Sequence, residues 1–148
     1  MAVLKNISSN IELHFILKKS NENEWLNYRV EVYVIDNNNL RKLLENVSLI
    51  EQGNLFLDAL YDPEVLQLIK GINMILNGES DYFLFSPVDE KDFILEISRE
   101  KNFYINFFRA NALSNFWEGI RMTVDTIALE YFISELRNEN IELHSPTQ

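Results

Sequence analysis

Hydrophobic positions along this chain alternate in several stretches and recur at helical spacing in two others. Ile11, Leu13, Phe15 and Leu17 share one side of an extended segment, with Glu12, His14 and Ile16 between them and Lys18 after them. A period of two is the mark of a strand with one buried face. Residues 20–24 are all polar and suit a turn. From Trp25 to Asp36 a second alternation sets Val30, Val32 and Val34 against Arg29, Glu31 and Tyr33. The short connection makes an antiparallel hairpin the expected pairing. Asn37, Asn38 and Asn39 end the strand, because asparagine tolerates turn dihedrals.

Further along, Leu40, Leu43 and Leu44 are spaced for a short helix. Leu55, Leu57 and Leu60 suit a strand and the turn after it, with Gly53-Asn54 as the turn between. Asp62-Pro63-Glu64 then offers a cap, a proline at the first helical position and an acid at the positive helix end. Val65, Leu68, Ile69, Ile72, Ile75 and Leu76 follow at helical spacing until Asn77-Gly78 closes the helix. Three short strands are predicted over residues 81–85, 92–98 and 102–109. Phe93, Leu95 and Ile97 oppose Asp92, Ile94 and Glu96, while Phe103, Ile105 and Phe107 oppose Tyr104, Asn106 and Phe108. Residues 99–102 form a tight hairpin connection. Gly119 to Val124 reads as another strand, and Asp125 or Thr126 caps a last helix buried through Leu129, Phe132, Ile133 and Leu136.

These elements predict an α+β fold, with one antiparallel sheet of about five to seven strands and two main helices packed on one face or end. The expected unit is a single domain over residues 1–148, with its core at about 10–138 and loose termini at 1–8 and 141–148. No internal repeat, linker or low-complexity block is visible.

Composition narrows the function. The 148 residues are 47% hydrophobic and 12% aromatic, ample for one core. No cysteine is present, which removes disulfides, thiolate metal sites and cysteine nucleophiles. The longest apolar runs fall far short of the ~20 residues needed to span a bilayer, and the first residues carry no cleavage-type signal region. The expected location is the cytoplasm. With 23 acids against 13 bases the net charge is −10, which repels nucleic acid and anionic membranes and favours a basic protein partner. Simple solubility explains the same excess.

A search for chemistry returns little. Of two histidines, His144 lies in the expected tail and His14 on the polar side of the first strand, so neither has a positioned partner. The four glycines, Gly53, Gly71, Gly78 and Gly119, form no phosphate cradle or dinucleotide fingerprint. No serine sits in a nucleophile elbow, and Asp36-Asn37-Asn38-Asn39 fails as a calcium loop. Asp92 and Glu96 share a strand face and Glu31 fits a neighbouring strand, an arrangement that suits a hard cation, acid–base chemistry or plain solvation. No catalytic residue, cofactor or metal site is assigned. Trp25, Tyr33, Tyr82, Tyr104, Phe108 and Trp117 stand among many acids, which suits a protein interface as well as a core.

The order of these segments also carries a family likeness. A hairpin ending in Trp25-Leu-Asn-Tyr-Arg-Val-Glu-Val precedes the Asp62-Pro-Glu helix. Phe93-Ile-Leu-Glu-Ile and Phe103-Tyr-Ile-Asn-Phe follow, then Ile120-Arg-Met-Thr-Val-Asp leads into the last helix. From Ile11 to Leu136 this order resembles the WapI-like bacterial immunity proteins and related small bacterial domains. The resemblance implies a cytosolic antidote that binds and blocks the toxic domain of a contact-delivered toxin. It rests on hydrophobic pattern and order, and it assigns no individual contact residue.

The leading expectation is therefore a non-enzymatic protein-binding module of immunity type, facing a basic toxin domain. Glu31, Asp92, Glu96, Tyr104 and Arg121, all expected on exposed strand faces, are the candidate partner-binding residues. A self-associating structural or regulatory domain is the alternative, and a carboxylate-based metal-dependent hydrolase comes third.

Overall fold

A computed structural model describes residues 1–19, 25–45, 58–87, 93–110 and 117–144. The strands are β1 (Ala2–Lys5), β2 (Ile11–Lys19), β3 (Trp25–Asp36), β4 (Asn39–Glu45) and β5 (Asp58–Tyr61), leading into helix α1 (Asp62–Leu76). Then come β6 (Tyr82–Phe85), β7 (Phe93–Arg99), β8 (Phe103–Ala110) and β9 (Trp117–Val124), followed by helix α2 (Thr126–Leu143). The α+β class holds, but the strands divide between two antiparallel sheets. The first runs β1-β2-β3-β4 with β5 also on β3, and the second runs β6-β7-β8-β9. Each half of the chain thus lays down a set of antiparallel strands and then a helix, an order that the residues themselves do not display.

Alternation decides what each sheet buries. Leu13, Phe15 and Leu17 of β2 meet Tyr28, Val30 and Val32 of β3 on the inner face of the first sheet. Phe93, Leu95 and Ile97 meet Phe103, Ile105 and Phe107 on that of the second. Val65, Leu68, Ile69, Ile72 and Ile75 of α1, and Leu129, Phe132, Ile133 and Leu136 of α2, complete the same core. Phe93 joins the two sheets: its ring centroid lies 5.5 Å from Tyr28, 6.3 Å from Phe15 and 5.8 Å from Phe107. Both inner faces and both helices are spent on this core, so the two outer sheet faces carry the polar positions.

Three local outcomes differ from the sequence reading. Residues 2–5, expected loose, form β1, whose Ala2 and Leu4 have almost no exposed surface. Leu40 to Leu44, expected helical, lie in β4 on the edge of β3. The pairing slips at Val32/Tyr33, so Leu43 is the extra residue of a bulge. Helix α2 runs past residue 141, with His144 as its C-cap. The expected strand and turn at Leu55, Leu57 and Gly53 lie outside the described residues.

Helix α2 also closes a sheet edge. Asp125 is its N-cap, accepting from the Ala128 N–H at 2.8 Å. On its inner side Glu139 accepts from the Leu17 N–H at 2.8 Å, and Glu135 accepts more weakly from the Val3 N–H at 3.4 Å. Two backbone donors that the first sheet leaves open are thereby satisfied.

Candidate functional site

The five candidate residues fall on two different sheets. Glu31 belongs to the outer face of the first sheet, yet it is wholly buried. The expectation that it is exposed is overturned, and so is its placement beside the strand of Glu96. The cause lies on its own strand. Arg29 and Tyr33 point to the same face and both donate to its carboxylate, and Lys42 of β4 adds an ion pair at 3.1 Å. Burial alone would raise its pKa. The donors Tyr33, Lys42 and Arg29, with the positive charge of Arg29, prevail and hold it below the ordinary value. This carboxylate is a structural tie within the first sheet. Next to it on the same face, His14 packs on Tyr33 at 4.5 Å between centroids and bonds Glu12 at 3.0 Å.

Asp92 lies outside the described residues. Glu96, Tyr104 and Arg121 come together on the outer face of the second sheet. Strand register sets the arrangement: Glu96 pairs with Asn106, Asn106 with Arg121, and Leu84 with Glu96. Tyr82 donates its hydroxyl to Glu96 Oε2 at 2.6 Å, and the Asn106 amide donates to Oε1 at 2.8 Å. The hydrogen bond from Tyr82, then that from Asn106 and the charge of Arg121, hold Glu96 below the usual carboxylate pKa against a smaller opposing effect of burial. The same bond raises the Tyr82 pKa, because the phenol would have to ionise against a carboxylate. Arg121 stacks over the Tyr104 ring at 4.6 Å.

Around this polar centre the face is apolar. Tyr82 and Leu84 are 53% and 50% exposed, and Ile94, Tyr104 and Phe108 are half-buried. Gly119 makes room for the last of these. A Cβ at position 119 would stand 2.2 Å from Phe108 Cδ1 and 2.7 Å from the Phe107 carbonyl oxygen, so only glycine leaves room for that ring beside β9. The sequence does not single out Asn106 and Leu84, because nothing in it fixes which residue of β6 or β8 stands beside Glu96.

The face offers recognition chemistry: a fixed anion, a stacked cation and exposed aromatic and aliphatic surface. Among the described residues no three His, Asp or Glu side chains gather closely enough to hold a metal ion. No helix among them is long and apolar enough to cross a membrane.

No family model matches the chain, and no curated protein is similar to it in sequence. Solved structures with a similar course include the following two. The plant transcriptional regulator PBF-2 matches with a TM-score of 0.47 and 12% identity, over 97% of this chain and 80% of that one. A guide-RNA-binding protein complex bound to a gRNA matches with a TM-score of 0.45 and 9% identity, over 90% and 94%. At this distance neither likeness bears on what the chain binds.

Proposed function

We propose that this chain is a non-enzymatic protein-binding module of immunity type, acting in the cytoplasm, which docks a basic toxin domain on the outer face of its second sheet and blocks it by occlusion. One observation carries the reading. Glu96 is held ionised by Tyr82 and Asn106 in the middle of a face that exposes Tyr82 and Leu84. A carboxylate oriented in advance loses little freedom when a lysine or arginine meets it, and the neighbouring apolar side chains supply area that slows release. The overall charge of −10 favours encounter with a basic domain.

Co-expression with basic toxin domains tests the proposal. The wild-type chain should restore growth and co-elute with the toxin. Glu96→Lys combined with Tyr82→Ala should lose both while keeping the fold by circular dichroism. Absence of protection and of a complex with the wild-type chain overturns the reading. A stable dimer buried through Tyr82 and Leu84 would instead assign this face to self-association.

A further inference from the structure

Away from this face, a cleft of about 330 Å³ separates the outer side of β1 and β2 from α2, lined by Val3, Lys5, Glu12, Ala128, Tyr131 and Glu135. Val3 and Ala128 supply apolar lining, and Tyr131 adds a ring that is 66% exposed. Two carboxylates line the cleft, each oriented by one oxygen. Glu135 accepts from the Val3 N–H through Oε1, and Glu12 bonds His14 through Oε1. Among the described residues neither second oxygen has a partner, although the Glu12 side chain is only 14% exposed. Lys5 faces Glu12 across the β1–β2 pair but is exposed and forms no ion pair among the described residues. The lining therefore carries one more negative than positive charge, beside an open aromatic face.

We infer that this cleft receives a guanidinium side chain of the basic partner, stacked on Tyr131 and bonded to the free oxygens of Glu135 and Glu12. Arginine suits the lining better than lysine does. Its planar fork can address two carboxylates at once while its face lies on a ring, and its methylenes match Val3 and Ala128. Lys5 opposes the ligand and limits its affinity. The inference rests on the basic-partner reading for the identity of the molecule that brings the arginine, and it gives that partner a second point of contact.

Arginine amide is the probe, with citrulline amide as its uncharged isostere, followed by the backbone and ring NMR signals of the intact chain. Arginine amide should shift Val3, Tyr131 and Glu135 with a millimolar dissociation constant, and citrulline amide should not. Glu135→Gln keeps an acceptor for Val3 and should weaken binding about five-fold, Tyr131→Ala about three-fold, and Lys5→Met should strengthen it about three-fold. Equal shifts with citrulline amide, no shifts at all, or preference for an anionic probe such as N-acetylglutamate would each overturn the inference. These outcomes do not depend on toxin protection. Protection without arginine binding leaves the sheet face standing and removes only the cleft.

Discussion

Glu31→Gln separates a structural carboxylate from a recognition one. Glu31 has no exposed surface, and its oxygens are taken by Arg29, Tyr33 and Lys42. Glutamine keeps the volume and one acceptor, but its amide group meets donors and the charge is lost. Stripping one partner from a fully buried ion pair costs about 3–5 kcal/mol. Arg29 and Lys42 are 21% and 36% exposed, so both cations can turn to water and the larger figure does not apply. A hydrogen bond to a charged group is worth about 1.5–3 kcal/mol, which sets the expected loss near 2 kcal/mol at neutral pH. For a chain of this size that lowers the melting temperature by about 4–8 °C. The pH dependence follows from the lowered pKa of Glu31. Its stabilisation is fully present above the ordinary value of 4.5 and is lost as pH falls through the lower folded value. Urea unfolding of both proteins should therefore show a gap at neutral pH that narrows by about pH 3. A variant within about 0.5 kcal/mol of wild type at neutral pH, or a gap that does not change with pH, would refute the enclosed carboxylate.

Other substitutions test the packing. Phe93→Ala removes the ring that joins the two sheets and should cost about 3–5 kcal/mol in urea unfolding. Gly119→Ala forces a methyl group against Phe108 and the Phe107 carbonyl, so a loss of about 1–3 kcal/mol is expected, with displaced Phe108 ring signals by NMR. Asp125→Ala should cost about 1 kcal/mol and speed amide exchange at Ala128, whose N–H loses its acceptor.

Strong local signals made most of the elements legible. Ile11 to Leu17, Trp25 to Asp36 and Phe93 to Phe107 alternate cleanly, and the Asp62 and Asp125 boundaries mark both helices. What escaped has physical causes. β1 is four residues long, too short for a period to emerge. In β4 the bulge at Leu43 breaks the alternation and leaves Leu40, Leu43 and Leu44 at a spacing that imitates a helix. The division into two sheets depends on long-range pairing, which alternation within a strand does not encode. Of the candidate site, the outward direction of Glu96, Tyr104 and Arg121 was readable from alternation, whereas their meeting on one face follows from strand register. The burial of Glu31 left a trace in hindsight: Arg29, Glu31 and Tyr33 are spaced by two on one strand, so the carboxylate carries its own donors.

The carboxylates that α2 places against the first sheet have a consequence for how the chain is made. Val3 and Glu135 stand 132 residues apart, and Leu17 and Glu139 are separated by 122. Strands β1 and β2 leave the ribosome early, while the groups that close their exposed backbone arrive with the final helix. Until then the growing chain presents an open strand template to its neighbours. A chain truncated before Thr126 should accordingly aggregate instead of folding as a smaller domain, and slow translation through the last helix would prolong that exposure.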